Sequence, residues 1–200
     1  MAEIYENTPE MREEKAYLWG YVSVGILCAV AVVLSIIGLA NYSLLASAVA
    51  VIMLAIVFLL EGGTMVRFFQ MSNRKRESGM QTVELSAEVI GGVAGLVLGI
   101  LALIGYIPVT LIAIAAIIYG AALILGSAFA PTLSSAGAGV DRQSTFEILI
   151  GVAGLTLGIL AILDINPLVL SLIAIIILSL GAFMTETTLK NKVSRLYLHK

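Results

Sequence analysis

Two glutamates hold matched places at the starts of long apolar runs. Glu88 stands one helical turn before Gly92, and Glu147 one turn before Gly151. Seventeen residues separate Glu88 from Gly105, so a helix puts the carboxylate on the order of 25 Å from that glycine. Glu61 and Glu186 fall at the ends of two further apolar runs, at similar depth. Four carboxylates on one rim could hold a cation or pass protons, and ionisable groups at membrane depth mark such pathways. A plainer arrangement also satisfies them. Glu88 and Glu147 would meet the partial positive charge of a helix N-terminus, and Glu61 and Glu186 would reach headgroup water, Arg67 or Lys190. A charge costs about 2.5–3.5 kcal/mol at the centre of a spanning helix and less near its edge, so depth alone does not decide between the two.

Other chemistry is sparse. Cys28 is the one cysteine and His199 the one histidine, which leaves no pair for a disulfide, a zinc site, an iron–sulfur cluster or a Cys/His nucleophile within the chain. We expect no catalytic residue, no metal and no cofactor. Asp164 and Asn166 read as turn formers. The cluster Arg74, Lys75 and Arg76 reads as a topogenic group touching anionic lipid headgroups rather than nucleic acid.

The elements that position these groups follow from composition. The chain has 200 residues, 60% of them hydrophobic and 12% charged, against about 25% charged in a soluble domain. Runs such as 18–60 exceed the roughly 20 residues that cross a bilayer as a helix. Lipid offers no partner to backbone N–H and C=O groups, and unbroken rather than alternating apolar runs select helices over a barrel. The expected fold is an all-α polytopic membrane protein with six transmembrane helices. The expected spans are 17–39, 42–60, 85–106, 108–129, 146–163 and 167–187. They form hairpins 17–61, 85–129 and 146–187 within a membrane domain 17–187. Residues 1–16 form a polar segment ahead of an uncleaved first span, 62–84 and 130–145 are linkers, and 188–200 are a basic tail.

All 11 lysines and arginines fall on the side of the termini and the two long linkers. The positive-inside rule then places both termini in the cytoplasm.

The stretch from Gly92 to Pro108, GVAGLVLGILALIGYIP, returns 59 residues later as Gly151 to Pro167, GVAGLTLGILAILDINP, with 11 of 17 positions identical. A repeat of two spans inserts each copy with the same orientation, so we expect three parallel helical-hairpin repeats. The first hairpin aligns with the second at an offset of 67, pairing Gly25 with Gly92, Gly38 with Gly105 and Asn41 with Pro108. Pro108 suits the first turn of a helix, and Asn166 ahead of Pro167 suits an N-cap.

Gly92, Gly95 and Gly99, with Ala102, lie on one helix face, as do Gly151, Gly154 and Gly158 with Ala161. Small residues let helix backbones approach in lipid, where burial of apolar area gives no drive. The stripes fit packing inside the chain, and a homo-oligomer face is the alternative.

The pattern G-x-x-G-x-x-x-G-I-L-A-L/I, a turn ending in Pro and an apolar span ending near Gly126 or Gly181 resembles the HdeD family of bacterial inner-membrane proteins. The resemblance covers about 85–187, and the first hairpin more loosely. It implies six spans built from repeated hairpins, a place in the cytoplasmic membrane and a role in resistance to acid stress. It carries no catalytic residue onto this chain. Beside this stress-response or membrane-organising role stand two alternatives. One is a small ion or proton transporter using the rim glutamates. The other is an accessory subunit anchoring a larger membrane complex through its basic cytoplasmic face.

Overall fold

The computed structural model describes residues 9–73, 87–129 and 142–198, with side-chain surroundings for 23–62, 87–127 and 145–184. Six helices follow one another: α1 (Pro9–Asn41), α2 (Leu44–Asn73), α3 (Ala87–Ile104), α4 (Pro108–Phe129), α5 (Arg142–Ile162) and α6 (Pro167–Leu198). Each contains at least 18 residues apolar enough to cross a membrane, so the chain is a six-span integral membrane protein.

Three helices run past their apolar spans. α1 starts at Pro9, within the polar segment ahead of its apolar run, α2 continues to Asn73 and α6 to Leu198. Residues 9–16 of the N-terminal segment, 62–73 of the first linker and 188–198 of the tail are therefore helical. A helix already nucleated in lipid extends at one backbone bond per residue, and 63–73 and 185–198 contain no proline to stop it.

The packing is a ring closed around an inner trio. α2, α4 and α6 touch one another, and each outer helix fills the gap between two inner ones: α3 between α2 and α4, α5 between α4 and α6, and α1 between α6 and α2. In the inner helices 44% of the span is buried, against 28% in the outer three. The core consists of Val51, Leu54, Phe58, Ile112, Tyr119, Leu172, Ile175 and Leu178, all fully buried, with smaller side chains between them.

The hairpin turns are tight and use the left-handed region. Tyr42 takes φ 51° at the end of α1, where Ser43 N–H reaches back to Gly38 O at 3.1 Å. The Ser43 hydroxyl then accepts the Ala46 N–H at 3.3 Å and caps α2. Gly105 (φ 93°) and Asp164 (φ 66°) do the same work after α3 and α5. The residue before each proline is also left-handed, Ile107 at 40° and Asn166 at 48°. Asn166 thus departs from the extended conformation of an ordinary N-cap, although its carbonyl accepts the first helical bond from Leu170 N–H at 3.1 Å.

The 67-residue register fails at these turns. Gly38 lies inside α1, buried against Ser47, whereas Gly105 lies in a turn with nothing near it. The first turn has two residues and the second three, so the alignment slips between them.

A left-handed conformation is tolerated by Asn and strained for a β-branched residue, at about 1–2 kcal/mol. Ile107→Asn, the residue type at the corresponding turn, should therefore raise stability by about 1 kcal/mol. Reversible unfolding in mixed micelles reads this, and an unchanged or lower stability would contradict it.

Candidate functional site

The glycine stripes face other helices of the same chain. A Cβ on Gly92 would lie 3.0 Å from Ala55 O and from Leu59 N of α2. One on Gly151 would lie 2.7 Å from Gly120 O of α4, and one on Gly158 3.1 Å from Ala113 O of α4. A Cβ on Gly99 would lie 2.7 Å from the Ile52 side chain, and one on Gly154 2.8 Å from the Leu178 side chain. α3 on α2 and α5 on α4 thus touch backbone to backbone, which is the geometry that dispersion forces reward in lipid.

Gly95 does something different. A Cβ there would run into the ring and hydroxyl of Tyr119. The phenol crosses the face of α3 at this glycine and donates to Val51 O of α2 at 2.9 Å. Its ring stacks on Phe58 with centroids 5.0 Å apart. Three helices thus meet on one side chain. A buried hydroxyl in lipid must find an acceptor, and the second lone pair of a helical carbonyl supplies it. Sequence reasoning missed Tyr119. The available signal was a single tyrosine at mid-span in α4, opposite the GxxxG of α3.

The acidic rim is assembled in part. Glu88 occupies the first turn of α3, and its carboxylate reaches α4, where a Cβ on Gly126 would sit 2.8 Å from Oε1. Glu147 lies close enough to act coulombically on Glu88. Glu147 is not in a first turn, because α5 starts five residues earlier, at Arg142, and the helix-terminal field fades within one turn. The plain electrostatic account therefore serves Glu88 and does not serve Glu147. Glu61 is half-buried at the end of the apolar span of α2, which continues as a helix beyond it. Glu186 lies in α6 with its side chain outside the described residues, and Arg74, Lys75 and Arg76 lie outside them altogether. Among the described residues, no three His, Cys, Asp or Glu side chains gather as metal ligands would.

The buried polar side chains among the described residues are five serines. Ser35, Ser47, Ser127 and Ser171 donate to carbonyls one turn back, at 2.6–2.8 Å, so those hydroxyls are satisfied within their own chain segment. Comparison with protein-family models, with curated proteins and with solved structures finds no match to this chain.

Two substitutions separate the glycine from the hydrogen bond. Gly95→Ala forces the tyrosine out and should cost about 1–3 kcal/mol, as overpacking does. Tyr119→Phe keeps the ring and should cost only about 0.6 kcal/mol, typical of a hydrogen bond between membrane helices. Unfolding in mixed micelles measures both, and equal costs would contradict the arrangement.

Proposed function

We propose that this chain is a non-enzymatic protein of the cytoplasmic (inner) membrane, of HdeD type, acting in the response to acid stress or in membrane organisation. Both termini and both long linkers lie in the cytoplasm on this reading, because all 11 basic residues fall on that side. Its first partners are lipids, with Arg74, Lys75 and Arg76 at anionic headgroups. The three hairpins are copies of one unit. The matched turns at Gly105 and Asp164, and the matched glycine contacts of α3 and α5, support that descent.

One observation carries the reading. Tyr119 bonds Val51 O across helices, and Ser35, Ser47, Ser127 and Ser171 bond carbonyls one turn back, so these buried hydroxyls serve the packing. A bundle of this kind favours a body that occupies and orders the bilayer. Deletion from the native cell should lower survival after an acid challenge and increase dye entry through the membrane. Unchanged survival and unchanged permeability would remove this function.

The proximity of Glu88 and Glu147 favours a second reading, a carboxylate pair that exchanges protons or binds a cation at the cytoplasmic rim. Proteoliposomes holding the native chain or the Glu88→Gln/Glu147→Gln chain separate the two. The stress-protein reading expects the same proton and cation flux from both, and expects the double variant to restore acid survival in the deletion strain. A flux present in the native chain and abolished in the variant would establish transport instead.

A further inference from the structure

The three places where one hairpin meets the next are not equivalent. Each can be followed at one glycine of an outer helix and two positions of the inner helix it packs on. Gly92 of α3 meets Ala55 and Leu59 of α2, with α2 backbone atoms 3.0 Å from where its Cβ would be. Gly151 of α5 meets Gly120 and Ile124 of α4, with the Gly120 carbonyl at 2.7 Å. Gly25 of α1 meets Phe183 of α6, which stands 59 residues after Ile124. There the nearest atoms are ring carbons at 3.6 and 3.9 Å, and no backbone atom of α6 comes within 4 Å. Phe183 itself remains 40% exposed.

The cause is visible in the sequence. The residue 59 positions after Gly120 is Ser179, and the one 59 positions after Ile124 is the bulkier Phe183. Gly120 is where a Cβ would meet Gly151 O and Leu155 N at 2.6 Å, so that seam closes only because position 120 lacks a side chain. Ser179 carries both a Cβ and a hydroxyl. It is fully buried, and its Oγ has no hydrogen-bond partner. An unbonded hydroxyl in an apolar interior is destabilising, so Ser179 weakens this seam where Gly120 tightens the other. At the turn end a Cβ on Gly38 would lie 3.4 Å from the Leu172 side chain of α6, an ordinary contact.

We infer that the ring of helices opens at the α1–α6 seam, from the end opposite the turns, while the α2–α3 and α4–α5 seams stay shut. Opening separates Gly25 from Phe183. α1 swings on its turn-side contact with Leu172. The inference does not depend on the stress-response reading, since it concerns only how this fold moves.

Position-matched nitroxide pairs on exposed residues test it. Ile26/Met184 spans the α1–α6 seam, Val93/Leu60 the α2–α3 seam and Val152/Leu125 the α4–α5 seam. The full chain is labelled through introduced cysteines in lipid nanodiscs. Cys28 is buried, and the unsubstituted chain sets the background. The Ile26/Met184 distance distribution should be roughly twice as broad as the other two, which should be single and narrow. Ser179→Gly, which restores the residue type of position 120, should narrow the first and leave the others alone. Three distributions of equal width would overturn the inference, as would an α1–α6 distribution that stays broad in the Ser179→Gly chain.

Discussion

The phenol of Tyr119 constrains more of this structure than any other side chain. Its hydroxyl must find an acceptor, because no water reaches the centre of the bundle and an unbonded hydroxyl there is costly. The acceptor is Val51 O on a neighbouring inner helix, and the ring reaches it across the face of α3 at Gly95. That route exists because position 95 is glycine. One hydrogen bond therefore sets how closely α2 and α4 lie, while the glycine beneath it sets how closely α3 covers both. Stacking on Phe58 fixes the rotation of the ring about the same contact. Elsewhere the equivalent place in the last hairpin is filled by Leu178 against Gly154, which packs but does not bond. The polar anchor is thus local to the first four helices.

Around that anchor the stabilising force is contact rather than water exclusion. Lipid chains are as apolar as the side chains they touch, so helices gain little by hiding leucine from lipid. They gain by fitting more atoms within dispersion range than fluid lipid would supply. Glycine and alanine at Gly92, Gly120, Gly151 and Ala113 achieve this by removing the side chain between two backbones. The exposed residues of the outer helices, such as Ile26, Val93 and Val152, remain as large aliphatics facing the bilayer.

Much of this was legible from residue order. Unbroken apolar runs identified six spans, and the glycine, asparagine and proline signals located the hairpin turns within a residue or two. The 3-4-3 spacing of small residues marked the packing faces of α3 and α5. Three features were not legible, each for a physical reason. Tyr119 looks like any half-apolar side chain until its partner across 68 residues is in place. The reach of α1, α2 and α6 beyond the apolar core depends on helix propagation, which leaves no hydrophobic signature in polar residues. The environment of Glu147 depended on α5 starting at Arg142, and element boundaries are the weakest part of any pattern reading. The register of the first hairpin also misled at Gly38, where a turn one residue shorter shifts the alignment.

The brevity of the three turns bears on how the chain enters a membrane. Two residues join α1 to α2, three join α3 to α4 and four join α5 to α6. Links this short leave no slack for one helix to wait in water while its mate settles in lipid. Turns of this length suit entry of each pair as one hairpin. The segments 74–86 and 130–141 are long enough to let successive units drift apart before they meet. Assembly thus becomes a docking of three preformed pieces, ordered by synthesis, in which the last helix made must find the first.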